Sequence, residues 1–245
     1  MKGSMQQHAR RLVFVLFVLA FTLMGSKSYA GQEAKPNTLS KTEKQQGWQL
    51  LFNGVTLDQW KSALQNEFPY FAWEIKNGTL SLIDRKARKK MGNADIVTKK
   101  QYSNFDFKLE FRTNTDDANS GIKYFVIPGT NLGLEYQIYV TNKEIHGPHA
   151  TADLYDLIAA KGRVVKPHGQ WNKARIVVRG KHVEHWLNGV KVVEYERGSK
   201  KFRELVAKSK YKHIKNFGEF PQGPILLQDH PGGISFRNIK IRVLK

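Results

Sequence analysis

The nine residues LGLEYQIYV (132–140) alternate apolar and polar side chains almost without a break. Because successive side chains of a strand point to opposite faces, this stretch predicts a β-strand with one apolar and one polar face. The apolar face carries Leu134, Tyr136, Ile138 and Val140. The polar face carries Glu135, Gln137 and Tyr139. We expect the apolar face to pack on a core, and the polar face to line a groove if the sheet is concave.

The same pattern recurs along the chain and predicts an all-β fold. NFDFKLEFRT (104–113) alternates in the same way, and its polar face includes Glu110 and Arg112. Asn-Gly pairs at 77–78 and 188–189 predict tight turns between strands. Further strand-like runs cover residues 70–83, 120–127, 172–180, 182–196, 224–230 and 233–244. Closely spaced runs of this kind predict a sandwich of two antiparallel sheets. A short helix is predicted at 200–212, with Ser199 as its cap.

The N-terminus has the pattern of an export signal. Lys2, Arg10 and Arg11 precede an apolar run at 12–24, and the segment ends in SKSYA (26–30), which has the small-residue spacing of a cleavage site. We therefore predict a cleavable signal peptide at 1–30, a flexible polar leader at 31–46 and one domain at 47–245. The chain has no cysteine, and so neither a disulfide nor a lipid-anchor cysteine is possible. We expect a periplasmic or secreted protein with no membrane span after cleavage.

The chain is strongly basic, with a formal net charge of +19. Much of the excess lies in RKARKK (85–90) and SKKFRELVAKSKYKHIK (199–215). Such a balance can attract nucleic acid or an anionic surface, but no nucleic-acid-binding motif accompanies it. We interpret the basic residues as solvated surface, with an anionic polymer as the alternative partner, and we expect no nucleic acid partner. No feature of the sequence predicts an oligomeric state.

Several side chains outside the first strand are candidates for a site. NKEIHGPHATADLYDLIAA (142–160) contains His149, which can take or give a proton near neutral pH, and Tyr155. Gln228 and His230 share one face of PILLQDH (224–230). Trp171 could stack on a sugar ring or fill the edge of a sheet. Each of these residues could equally be structural, and so could Glu135 and Gln137.

Several familiar chemistries are absent from the sequence. The spacing of His146 and His149 does not match a standard zinc motif, so no metal site is predicted. There is no phosphate loop, nucleophile elbow or dinucleotide fingerprint. LEYQIYV (134–140) supplies one carboxylate, whereas an ordinary glycosidase needs two.

Segments from Gly47 to Val243 together resemble the 3-keto-disaccharide hydrolase family of secreted bacterial proteins. They are GWQLLFNGVTLDQW (47–60), FDFKLEFRT (105–113), NSGIKY (119–124), LEYQIY (134–139), ADLYDLIAAKG (152–162), GQWNKARIVVRG (169–180), HWLNGVKVVEYE (185–196), SKKFRELVAKSKYK (199–212) and ILLQDHPGGISFRNIKI (225–241). The resemblance implies a concanavalin-like, laminin-G-type jelly roll. It also implies activity on glycosides already oxidised at sugar C3.

This implied activity agrees with a single carboxylate. A ketone at C3 acidifies the C2 proton, so a base can remove it, the enolate can expel the C1 substituent, and water can then add. Such a site needs a base and a group that stabilises the enolate oxygen. We hypothesise that the catalytic residues are Glu135, His149 and His230, with Glu135 or His149 as the base. The hypothesised substrate-binding residues are Glu110, Arg112, Gln137, Tyr139, Tyr155, Trp171 and Gln228.

The expected partner is an oxidised sugar or oligosaccharide, and no cofactor is expected. Proteins of the implied fold often carry a divalent cation such as calcium, but nothing in this sequence supports one. The alternative function is a non-catalytic glycan-binding module, since a fold does not fix a function. A third interpretation is a surface-adhesion protein.

Overall fold

The computed structural model describes residues 35–89 and 92–245, which form two antiparallel sheets around a shared core. The predicted signal peptide and the start of the predicted leader lie outside the described residues. The described strands are β1 (Gln49–Leu50), β2 (Trp60–Ser62), β3 (Trp73–Lys76), β4 (Thr79–Leu82), β5 (Ile96–Thr98), β6 (Phe105–Thr113), β7 (Ala118–Tyr124), β8 (Leu134–Val140), β9 (Asn172–Arg179), β10 (His182–Leu187), β11 (Val190–Glu196), β12 (Leu226–Leu227) and β13 (Ile234–Val243). The helices are α1 (Lys41–Gln45) and α2 (Lys200–Lys208), with a 3₁₀ turn at Arg85–Ala87.

The larger sheet has eight strands and the smaller has five. The larger sheet has the strand order β11-β10-β9-β6-β13-β4-β3. Strand β1 pairs with the C-terminal half of β13, and β4 pairs with its N-terminal half. The smaller runs β2-β5-β12-β7-β8. This arrangement confirms the predicted sandwich of two antiparallel sheets.

The alternating side chains meet between the sheets, as the pattern predicts. Phe107 and Phe111 of β6 and Tyr136 and Ile138 of β8 are all fully buried in one hydrophobic cluster. Burying a side chain of this size stabilises the fold by roughly 1.5–3 kcal/mol relative to exposing it. The core therefore fixes which face of each strand points outward.

Both predicted Asn-Gly turns are present. Asn77 and Gly78 have φ of 51° and 70°, and Asn188 and Gly189 have φ of 50° and 89°. Asparagine and glycine tolerate this left-handed region, whose twist suits a two-residue hairpin. The turns join β3 to β4 and β10 to β11.

The predicted helix is shorter than expected. It ends at Lys208 instead of Lys212, and the Ser199 hydroxyl accepts from the Phe202 N–H, which confirms the predicted cap. Phe202 packs into the core.

Residues before Gly47 differ from the predicted leader without regular structure. Ser40 and Glu43 form a capping box on α1, and Glu43 contacts the ammonium groups of Lys108 and Lys240 at 2.7 and 2.9 Å. Asn37 exchanges two hydrogen bonds with Asn238 on β13. The residues of this segment show no hydrophobic periodicity, so the sequence pattern does not reveal these polar contacts. In the described part of the chain, no helix is long and apolar enough to cross a membrane.

Candidate active site

Glu135 is a buried carboxylate on the face of β8 that points away from the core. It pairs across the sheet with Lys123 of β7, and its Oε2 lies 3.7 Å from Lys123 Nζ. The side chains are only 3% and 10% exposed, respectively. Burial raises the pKa of Glu135, while the charges of Lys123 and Lys210 act in the opposite direction. The result is a carboxylate suited to accepting a proton.

Gly121 makes room for this carboxylate. A Cβ atom at position 121 would clash with Oε1 of Glu135 and would lie 3.0 Å from both its Cγ and Cδ, tighter than most Cβ contacts. The Glu135 side chain therefore lies across the backbone of β7 at a point where only glycine fits. The Gln228 N–H donates to the Gly121 carbonyl at 3.0 Å, so Gln228 lies beside the glycine that the Glu135 side chain crosses.

Gln137 adjoins Glu135 on the same face and is also 3% exposed. In one orientation its amide donates to the His149 carbonyl at 3.3 Å. In the other it donates to Glu135 Oε1 at 3.3 Å and to the Ser120 carbonyl at 2.9 Å. We favour the second orientation, because it makes two hydrogen bonds and one of them is to a carboxylate.

Three polar atoms near Glu135 and Gln137 have no hydrogen-bond partner among the described residues. They are Nε of Arg85, Oε1 of Gln228 and Nδ1 of His230, all buried. Burial, with a smaller effect from the Arg85 charge, lowers the pKa of His230 and favours its neutral ring. Buried polar atoms are normally satisfied, so this group is suited to hydrogen bonding with a polar ligand.

The loop that contains Arg85 is fixed to the strand end that carries His230. Arg88 forms two hydrogen bonds to the Asp229 carboxylate, at 3.0 and 2.7 Å, and its side chain is 1% exposed. Arg85 Nη2 donates to the Asp229 carbonyl at 2.9 Å. Asp229 N–H in turn donates to Asp95 at 2.7 Å. These two arginines contradict the prediction that the basic stretch at 85–90 is only solvated surface.

Lys210 and Tyr155 approach the same region. Lys210 Nζ lies 4.1 Å from the centre of the Tyr155 ring. Burial lowers the pKa of Lys210, and the Glu135 charge opposes that effect. Burial raises the pKa of Tyr155, to which the charges of Glu135 and Asp156 also contribute. We call the residues of this region the Glu135 cluster: Arg85, Lys123, Glu135, Gln137, Tyr155, Lys210, Gln228 and His230.

His149 lies beside this cluster and faces acceptors with both ring nitrogens. Nε2 lies 3.1 Å from Asp156 Oδ1, and Nδ1 lies 3.1 Å from the His146 carbonyl. Its ring centre is 4.9 Å from that of Tyr155. A neutral imidazole has one N–H, so only one of these two contacts can be a hydrogen bond donated by the ring.

A buried hydrogen-bond chain fixes the segment that carries His149. His185 Nδ1 lies 3.0 Å from the Ala152 carbonyl, and its Nε2 lies 2.7 Å from Tyr124 Oη. The carbonyl can only accept, so Nδ1 carries the proton and Nε2 accepts from Tyr124. Tyr195 must then donate to Tyr124, at 2.8 Å. Ala152 has a φ of 72°, unusual for a residue other than glycine, and this chain contacts its backbone directly.

The structure separates three predicted site residues from Glu135. Glu110 and Arg112 lie on β6, and Trp171 directly precedes β9, so all three belong to the eight-stranded sheet. The prediction that Arg112 shares a groove with Glu135 is therefore wrong. The strands β6 and β8 have the same alternating pattern, which does not reveal that they belong to different sheets.

Tyr139 lies further along β8 and lines another cleft, together with Thr141 and Lys166. The remaining predicted residues, Gln137, Tyr155, Gln228, His149 and His230, are in or beside the Glu135 cluster. Their predicted roles stay predictions.

Sequence reasoning missed the cations of the site. Lys123 follows Gly121 at strand spacing in NSGIKY (119–124), but its position opposite Glu135 depends on the β7–β8 register. Arg85 and Lys210 lie within basic stretches that resemble ordinary surface, and nothing in their spacing distinguishes them.

One group in the described chain has the composition of a metal site. His182, Glu184 and Glu194 place potential ligand atoms within 4.8 Å of one another. Lys191 Nζ already lies 2.7 Å from Glu194 and 3.6 Å from Glu184, which neutralises part of their charge. The group is on β10 and β11 of the eight-stranded sheet, apart from Glu135.

Comparisons with known proteins agree with this architecture. The model of a family described as a 3-keto-alpha-glucoside-1,2-lyase-like domain matches residues 47–242. The chain is similar to the 3-keto-disaccharide hydrolase of Bacteroides thetaiotaomicron, with 27% identity over 251 residues that cover 89% of this chain and 86% of that protein. Two crystal structures from Parabacteroides distasonis, both provisionally assigned as glycosyl hydrolases, match with TM-scores of 0.77 and 0.62. They are 28% and 30% identical, and the matches cover 86% and 80% of this chain and 100% and 99% of theirs.

Proposed function

The chain belongs to the 3-keto-alpha-glucoside-1,2-lyase-like family, and we propose that it cleaves glycosides whose sugar carries a ketone at C3. The observation that carries this proposal is Glu135, a buried carboxylate beside two ammonium groups. Proton removal next to a ketone requires one base and nearby positive charge, and this cluster has both.

We assign the base to Glu135. Burial raises its pKa and so increases its affinity for a proton, while Lys123 and Lys210 stabilise the ionised form. The alternative base, His149, is 40% exposed and already faces the Asp156 carboxylate and a backbone carbonyl with its ring nitrogens, whereas Glu135 is buried beside Lys123. His149 therefore serves to order the segment beside the site.

The positive charge comes from Lys123 and Arg85. When Glu135 takes the C2 proton, the electrons of the C–H bond form the enolate and the C3 oxygen becomes negative. A nearby ammonium or guanidinium stabilises that charge in a site shielded from water. Arg112, predicted from the sequence to bind substrate, lies on the other sheet and is not assigned this role.

Expulsion of the C1 substituent requires a second proton. The enolate re-forms the C3 ketone, a C1–C2 double bond appears, and the leaving oxygen takes a proton. Lys210 is our candidate donor, because burial lowers the pKa of its ammonium. Addition of water across the C1–C2 double bond then completes a hydrolysis, and release before that step makes the reaction a lyase.

The unpartnered atoms define how the sugar is held. Gln228 Oε1 can accept from a sugar hydroxyl, and His230 Nδ1 can accept or donate according to its tautomer. Because burial favours the neutral ring of His230, we assign it to substrate binding and not to acid catalysis.

The proposed reaction uses side chains alone, without a metal or organic cofactor. Lys123 supplies positive charge beside Glu135. Export through the predicted signal peptide would deliver the enzyme to the periplasm or the cell exterior.

Product analysis tests this function. The protein is incubated with 3-keto-trehalose, 3-keto-sucrose and the two unoxidised sugars, and the products are identified by mass spectrometry. We expect cleavage of the keto forms only. Equal cleavage of the unoxidised sugars would contradict the proposal, and binding without any cleavage would support the glycan-binding alternative.

A further inference from the structure

A polar groove of about 620 Å³ lies on the outer face of the eight-stranded sheet, away from the Glu135 row. Arg112 of β6, Ser235 and Arg237 of β13, and Trp171 line it. We call it the Arg112 groove. It contains two of the residues that the sequence had suggested for sugar binding, on a different sheet from the proposed catalytic base.

The two arginines of the groove differ in their hydrogen-bond partners. The guanidinium carbons of Arg112 and Arg237 lie 4.8 and 4.2 Å from the Trp171 ring centre. Arg237 also donates to Glu110 at 2.6 Å. Arg112 has no hydrogen bond or ion pair within the described part of the chain, only its contact with Trp171. Trp171 thus holds a planar cation whose N–H donors are free.

Hydroxyl and amide groups line the groove beside Arg112. Asn114 Nδ2 donates to Ser235 Oγ at 3.0 Å, and Ser235 Oγ lies 2.9 Å from Ser81 Oγ. Groups of this kind can exchange hydrogen bonds with sugar hydroxyls. A free guanidinium beside them adds a fork that matches the two oxygens of a carboxylate or sulfate.

We propose that the Arg112 groove is a second glycan-binding site, specific for a sugar residue that bears a carboxylate or sulfate. Arg112 binds the anionic group, Trp171 holds the guanidinium in place, and the Asn114–Ser235 row binds hydroxyls. The groove extends to Asp84 and Gly233, which adjoin Arg85 and the turn after His230 in the sequence.

Calorimetric titration of the intact protein with unoxidised oligosaccharides tests the site. The probes are tetragalacturonate, a sulfated carrageenan tetrasaccharide and neutral maltotetraose, at 0.15 M salt. Because no probe carries a ketone, the result does not depend on turnover. The variants are Arg112→Gln and Arg112→Lys, with Arg179→Gln as the matched control, since Arg179 is exposed and outside the groove.

We expect at least one acidic probe to bind and neutral maltotetraose to bind more weakly. Arg112→Gln should raise the Kd of that acidic probe about tenfold or more, the usual effect of losing a hydrogen bond to a charged group. Arg112→Lys should also raise it, because an ammonium cannot form the two-pronged contact. Arg179→Gln should leave it close to the wild-type value.

Three results would overturn the proposal. They are no binding of either acidic probe, equal affinity for maltotetraose, and equal weakening by Arg112→Gln and Arg179→Gln. The last result would assign the binding to the net positive charge of the chain. A preference between the two acidic probes identifies which anionic group Arg112 accepts.

Discussion

Glu135 illustrates how two opposing effects set the chemistry of one carboxyl group. Burial raises its pKa, and the adjacent ammonium of Lys123 limits that rise. Burial favours the protonated carboxyl group, and the neighbouring cation favours the carboxylate. Burial thus makes the carboxylate a stronger base, and the ammonium stabilises the ionised form that general base catalysis requires.

Replacement of the base should remove turnover but not binding. Glu135→Gln keeps the size of the side chain and eliminates its ability to take a proton. We expect kcat on a 3-keto glycoside to fall about 10²–10⁴-fold, the usual contribution of general base catalysis, with little change in substrate Kd. Glu144→Gln is the control, since the Glu144 side chain is 83% exposed. A wild-type kcat in Glu135→Gln would rule out its assignment as the base.

The charge of Lys123 should affect the pH dependence of kcat/KM. A base acts in its ionised form, so kcat/KM falls as the pH drops through the Glu135 pKa. Because the Lys123 charge lowers that pKa, Lys123→Met should raise it and move the acidic limb to higher pH. The measurement is kcat/KM against pH, with Lys212→Met as an exposed control. An unchanged limb, or a shift to lower pH, would contradict the role of Lys123.

The buried hydrogen bonds of His185, Tyr124 and Tyr195 connect several elements of the fold. They join β10, β7 and β11 to the Ala152 backbone, beside the strand that carries Glu135. Burial lowers the pKa of His185 to about 4 from an ordinary value of 6.5, so the folded protein keeps the ring neutral.

Acid should therefore weaken the fold in a defined pH window. Between pH 6.5 and about 4 the unfolded chain binds a proton at His185 that the folded chain does not. The free energy of unfolding should fall over that window by roughly 3 kcal/mol through this residue alone. Urea denaturation at a series of pH values measures it, and His185→Gln should show a shallower fall. Parallel curves for the two proteins would contradict the assignment.

Nuclear magnetic resonance provides an independent check if His185→Gln does not fold. The His185 ring of the wild-type protein should stay neutral as the pH falls from 7 to 5. A midpoint near 6.5 would show that the ring is not held neutral by burial.

Strand alternation predicted the faces of individual strands better than it predicted which strands pair with one another. The faces of β6 and β8 and the two Asn-Gly turns follow from side-chain period and local backbone preference, both of which are local properties. Sheet membership depends on long-range pairing, and so Arg112 was assigned to the wrong sheet. Lys123 was missed for the same reason, because its partner is known only from the register.

At the scale of the whole molecule, some basic residues make specific contacts and are not only solvated surface. Arg85 and Arg88 hold the strand end that carries His230, and Lys210 lies over Tyr155. Composition reveals a net charge of +19 but not which cations contact other side chains. Strand alternation and the family resemblance both predicted the two-sheet architecture, whereas the cations of the site required the folded structure.

The most direct test of the account is the fate of the C2 hydrogen when the protein cleaves 3-keto-trehalose in heavy water. Removal by Glu135 predicts a hydrolysis product with deuterium at C2, or an elimination product with no hydrogen there, as measured by nuclear magnetic resonance. The released sugar incubated without protein controls for spontaneous exchange. A product that retains its original C2 hydrogen would show that the C1 bond breaks without proton removal, and would contradict the account.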